Sequence, residues 1–220
     1  TLPLDSTEGI HEGVALYAES RTDKVVTKVA DVTYRVDKTA PEPMSFAVEG
    51  ERREAQDAWF FQHEASITVF VMDPDTNVGT SPEQRHAVMP AVSGLSAEDA
   101  WVEYELMDGQ RRTKTGISVS GPQGETGALR FMLDGDQAVR ADSFRVHVRD
   151  RAGNVLDTSL NGVREMPAEV LKLVSDSAAP ELTVSFSNDD VRNGRFFNAG
   201  RTAWFTVQEA NFGFIQEYDP

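Results

Sequence analysis

Oxygen donors are the first side chains here whose types and spacing suggest chemistry. Residues 73–84 read DPDTNVGTSPEQ and place Asp73, Asp75 and Asn77 at alternate positions, the opening spacing of a calcium loop. Such a loop needs glycine at its sixth position and a bidentate glutamate at its twelfth, where this chain has Val78 and Gln84. A turn after a strand is therefore the expectation, and calcium is the alternative. No other cofactor is expected. Residues 149–155, RDRAGNV, offer Asp150, Gly153 and Asn154. Between two strands these are turn residues: Asp150 accepts backbone N–H bonds, Gly153 takes the positive-φ position, and Asn154 tolerates a tight exit.

No catalytic set accompanies them. The four histidines, at 11, 63, 86 and 147, form no His-Glu-x-x-His pair. The chain has no cysteine, which removes thiolate ligands, cysteine nucleophiles and disulfides together. The glycines of GPQGETG (121–127) sit between two strands and read as a hairpin loop, not a phosphate cradle. Adjacent acids such as Glu98 and Asp99 do not show the fixed separation across a cleft that glycosidases need. The chain is expected not to be an enzyme. Of the three tryptophans, Trp101 is expected in the core. Trp204 is expected to face outward and is the aromatic candidate for ligand contact.

Strands must position these groups. Period-2 alternation marks VALYAE (14–19), DVTYRV (31–36), SITVFVM (66–72), WVEYELM (101–107), GISVS (116–120), ALRFML (128–133), SFRVHVR (143–149), EVLKLV (169–174), LTVSF (182–186) and TAWFTV (202–207). They are rich in Val, Thr, Phe and Tyr, which suit a pleated surface. Residues 74–100 read as a long loop. Within it LSAEDAW (95–101) is the best helical candidate, a single turn capped by Ser96 with Asp99 three residues on. Many short strands with regular turn signals predict an all-β antiparallel sandwich.

Composition narrows the partners. The 220 residues carry a net charge of −15, which repels phosphate backbones and disfavours nucleic acid and anionic membrane surfaces. No apolar run reaches the ~18–20 residues that span a bilayer. The N-terminal TLPLDSTEGI has no secretory leader pattern. Because it opens on Thr1, a piece of a longer chain is expected.

The sequence also repeats. VDKTAPE (36–42) returns as SDSAAPE (175–181), and FFQHEASITVFVMD (60–73) aligns with FFNAGRTAWFTVQE (196–209). VALYAESRTDK (14–24) matches FRVHVRDRAGN (144–154) more loosely. The expected organisation is the closing strands of one unit at 1–37, a complete unit at 38–175 with its long loop at 74–100, and the opening strands of a third at 176–220. Asp37 with Pro41 and Asp176 with Pro180 form the hinges between units. Proline fixes φ and bars helix from the residue before it, which gives a short, stiff link.

VDKTAPE, the run from LDGDQ to FRVHVRDRAGN, and FFNAGRTAWFTVQEANF together resemble the bacterial immunoglobulin-like modules of large secreted or wall-attached surface proteins. The resemblance covers nearly the whole chain apart from 74–100. It implies tandem immunoglobulin-like β-sandwiches, extracellular, acting as stalk or adhesion region. Their partners would be neighbouring modules of the same chain and a host protein or glycan. It carries over no catalytic residue. A carbohydrate-binding or accessory module of a large secreted glycan-active enzyme is the alternative, and a phage fibre module a third. Two features depart from the pattern: the 38–175 unit is long, and SDSAAPE lacks the threonine.

Overall fold

The structure is a computed structural model that describes residues 4, 6–55, 57–62, 64–74, 92–133, 135–187, 194 and 199–209. It is all-β. The chain opens with a hairpin, β1 (Gly9–Glu19) and β2 (Val26–Val36), antiparallel from Gly9↔Val36 to Glu19↔Val26. Three four-stranded sheets follow. One runs β3 (Glu42–Glu49), β6 (Ala65–Met72), β10 (Thr126–Leu133), β9 (Ser118–Ser120). A second runs β13 (Val155–Ser159), β12 (Arg145–Asp150), β7 (Leu95–Glu105), β8 (Arg111–Thr115). The third runs β11 (Gln137–Arg140), β14 (Lys172–Ser175), β5 (Ala58–Phe61), β4 (Arg52–Ala55). The chain ends in a pair, β15 (Glu181–Phe186) and β16 (Ala203–Gln208).

Alternation places the core. Along β6, Ala65, Ile67, Val69 and Val71 are fully buried, and along β12 Val146, Val148 and Asp150 turn inward while Arg145 and Arg149 are exposed. β7 answers them with Ala100, Val102 and Tyr104. The first two sheets thus contribute to one hydrophobic cluster, the arrangement of a β-sandwich. Three rings fill its middle: Phe144 lies 4.8 Å from Phe46 and 5.4 Å from Tyr104, centroid to centroid. Each fully buried Val, Leu or Phe contributes roughly 1.5–3 kcal/mol, so this cluster is what holds the sheets face to face.

Three expectations change. Residues 95–101 form the start of β7 and not a helical turn. Ser96 does accept the Glu98 N–H at 3.4 Å. Pairing of Ala100 with Val148 and of Trp101 with His147 nonetheless decides the conformation. Trp101 is not in the core: it lies on the opposite face of β7 from Ala100 and Val102, stacked on His147 at 4.9 Å between centroids. Nor is every pair antiparallel. β14 runs parallel to β5, Lys172 opposite Ala58 and Ser175 opposite Phe61. Alternation reports which face a residue takes and says nothing about strand direction.

The two proline-led strands share their opening register. Glu42 pairs with Met72 in β3·β6, and Glu181 pairs with Gln208 in β15·β16. These are the positions that the sequence repeat equates. A bulge between Pro43 and Ser45 then offsets β3, whereas β15·β16 continues without one.

Candidate functional site

Three aspartates meet beside the sandwich. Asp37 follows the last residue of β2, Asp73 follows β6, and Asp150 closes β12. β3 and β6 are antiparallel, so the start of one lies beside the end of the other and brings the 37–41 linker to Asp73. One carboxylate oxygen from each of Asp37, Asp73 and Asp150 lies within 4.8 Å of the other two. Asp73 and Asp150 are each 1% exposed; Asp37 is half-buried.

Backbone amides hold the carboxylates in place. Asp150 Oδ1 accepts the N–H groups of Gly153 (2.7 Å) and Asn154 (2.8 Å), while Asp150 Oδ2 accepts the Asn154 side-chain amide at 2.7 Å. Gly153 has φ +100°, and the Asp150 N–H closes the loop on the Asn154 carbonyl at 3.0 Å. RDRAGN is therefore a hairpin turn whose aspartate also faces the cluster. The same Asn154 amide reaches the Asp37 carbonyl at 3.2 Å, which ties the turn to the linker. Asp37 Oδ2 accepts the Ser93 N–H at 2.7 Å, and Asp37 Oδ1 accepts the Thr39 N–H at 3.2 Å. Asp73 Oδ2 accepts the Gly94 N–H at 2.7 Å.

Asp73 Oδ1 differs from these oxygens: it is buried and has no hydrogen-bond partner. Burial pushes the Asp73 carboxyl up from 3.8 to about 6. The Gly94 N–H opposes the shift, the charges of Asp37 and Asp150 add to it, and the Ser93 hydroxyl tempers it slightly. Among the described residues, none of the three carboxylates forms an ion pair. An uncompensated group of buried anions is costly. At neutral pH it can be relieved by a shared proton or by a cation.

The other sequence candidates lie elsewhere. Asp75 and Asn77 fall outside the described residues, so of that calcium loop only Asp73 is placed, and its partners are distant in sequence. At the second hinge, the Asp176 N–H donates to the Phe61 carbonyl at 2.9 Å, and Ser177 donates to Asp136 Oδ1 through both N–H (2.9 Å) and hydroxyl (3.1 Å). Those two bonds, the backbone one first, hold the Asp136 carboxyl below its usual range. Pro41 is buried and Pro180 exposed. Trp204 is 50% exposed and sits opposite Ser185. Leu182, Val184, Phe186, Phe205 and Val207 occupy the other face of that pair.

In the sequence Asp37 reads as a hinge, Asp73 as a loop ligand and Asp150 as a turn. Their meeting as one group, and the Ser93 and Gly94 amides that hold two of them, are visible only in the fold. The available signal was positional: each aspartate stands at the end of an alternating run. No protein-family model, curated protein or solved structure matches this chain.

Proposed function

We propose that the chain is a non-enzymatic stretch of tandem immunoglobulin-like modules from a bacterial surface protein, extracellular, acting as stalk or adhesion region. The observation that carries this reading is the repeated start: each Asp-x-x-Ala-Pro linker leads into a strand whose first pairing is equivalent, Glu42↔Met72 and Glu181↔Gln208. Strand order supports it. β3-β6-β10-β9 and β13-β12-β7-β8 correspond to the A-B-E-D and G-F-C-C′ orders of an immunoglobulin sandwich. A further four-stranded sheet, β11-β14-β5-β4, also lies within residues 38–175.

A spacer must resist tension. Pulled between its ends in a single-molecule force experiment, the full chain is expected to show one discrete event for residues 38–175, lengthening by about 45 nm from ~3.6 Å per extended residue. Gradual extension without such a step would contradict the reading. A glycan-binding role is the second reading, favoured by the half-exposed Trp204 on the polar face of β16. A glycan array probed with the wild type and with Trp204→Ala separates the two: signal lost in the variant supports binding, and silence in both supports the spacer.

A further inference from the structure

We propose that Asp37, Asp73 and Asp150 hold one calcium ion at the junction between the leading hairpin and the sandwich. The three oxygens already lie within 4.8 Å of one another, so a single ion can reach all of them. The independent pointer is Asp73 Oδ1, a buried oxygen with no hydrogen-bond partner, on a side chain that is 1% exposed and belongs to the cluster. Buried polar atoms in folded proteins are satisfied by protein, water or an ion. The other two members of the cluster are carboxylates, and an anion cannot donate to it.

The donor set selects the ion. All three ligands are carboxylates, and the chain has no cysteine. Hard oxygen ligands favour Ca²⁺ or Mg²⁺ over thiophilic metals. The carboxylates come from a linker, a strand end and a turn, each fixed by backbone amides at the spacing of its own loop. Ca²⁺ accepts six to eight oxygens in irregular geometry, whereas Mg²⁺ demands a near-ideal octahedron. The arrangement therefore suits Ca²⁺, with an affinity in the range of roughly 10⁻⁵–10⁻³ M typical of weaker sensor and extracellular sites. The net charge of −15 adds a general attraction for cations.

Asp37 gives the site its consequence. It stands immediately after β2, and its carbonyl is already tied to Asn154. An ion held by Asp37, Asp73 and Asp150 joins the leading hairpin to the ends of β6 and β12, fixing the first hinge. The second hinge has a different lock, Ser177 on Asp136. The metal assignment rests on side-chain geometry alone and stands or falls apart from the module reading.

The test is calorimetric titration of CaCl₂ into chelator-stripped full-length chain at pH 7.5 in 0.1 M KCl, with melting curves alongside. One ion per chain is expected, with a melting midpoint several degrees higher at 10 mM Ca²⁺ and weaker binding of Mg²⁺. Asp37→Asn and Asp73→Asn, each shown to be folded by circular dichroism, are expected to weaken Ca²⁺ at least tenfold. Asp142→Asn, at an exposed carboxylate, is expected to bind as wild type. Absence of both heat and melting shift at 10 mM Ca²⁺ would overturn the proposal. So would an unchanged affinity in folded Asp73→Asn, or Mg²⁺ binding as tight as Ca²⁺.

Discussion

Replacing Asp73 by asparagine should stabilise the metal-free protein. The side chain is buried in the acidic cluster, one oxygen accepts the Gly94 N–H at 2.7 Å, and the other has no hydrogen-bond partner. Asparagine keeps the acceptor for Gly94 and can turn its NH₂ toward the carboxylates of Asp37 and Asp150, so repulsion becomes attraction. The shift of the Asp73 carboxyl from 3.8 to about 6 corresponds to about 3 kcal/mol of unfavourable charging at ~1.36 kcal/mol per pKa unit. Allowing for some relaxation, the expected gain at pH 7.5 in chelator is about 2 kcal/mol, or a melting midpoint roughly 4–8 °C higher. Scanning calorimetry in EDTA reads it directly. With excess Ca²⁺ the order should reverse, because wild type gains ion binding that the variant loses. A folded Asp73→Asn that melts below wild type in EDTA would refute the claim that this carboxylate is uncompensated.

Acidification should act in the same direction as that substitution. A carboxyl raised in the folded state contributes stability that is present below its unfolded value of 3.8 and is lost as pH rises through about 6. In chelator, the stability gap between Asp73→Asn and wild type should therefore shrink between pH 7.5 and pH 5; a constant gap would contradict it. Gly94→Ala should cost about 3 kcal/mol or more in thermal unfolding, since its Cβ at φ +81° would lie 2.1 Å from the Gln123 carbonyl oxygen. Gly153→Ala, at φ +100° with open space around the new atom, should cost only about 1 kcal/mol of backbone strain. Phe144→Ala should remove roughly 3–5 kcal/mol, because the ring packs between Phe46 and Tyr104 and is 1% exposed. Urea unfolding gives the number.

The strands were legible because their faces differ. Ile67, Val69 and Val71 alternate with outward residues, and the pattern alone assigns β6. β7 was harder. Its first half reads Ser-Ala-Glu-Asp-Ala, with two exposed positions in a row, and the ladder slips between Val148 and Asp150. A bulge of that kind breaks period 2 and lets a capping pattern look like a helix. The parallel β5·β14 pair was invisible, since direction depends on how the chain returns and not on which face a residue takes. The acidic site was half legible. Motif spacing looks for ligands a few residues apart and so found Asp73 with Asp75 and Asn77. Asp37 and Asp150 reach Asp73 only through the pairing of β3 with β6 and the packing of β12. Single residues were noticeable, but their convergence is a property of the topology.

An ion held by Asp37, Asp73 and Asp150 would fix the leading hairpin against the sandwich. A chain without cysteine permits clean spin labelling, at Thr22→Cys in the β1–β2 turn and Thr113→Cys on β8. Pulsed dipolar spectroscopy of that pair should give one narrow distance with 5 mM Ca²⁺ and a broad distribution in EDTA. Identical distributions in the two conditions would contradict it.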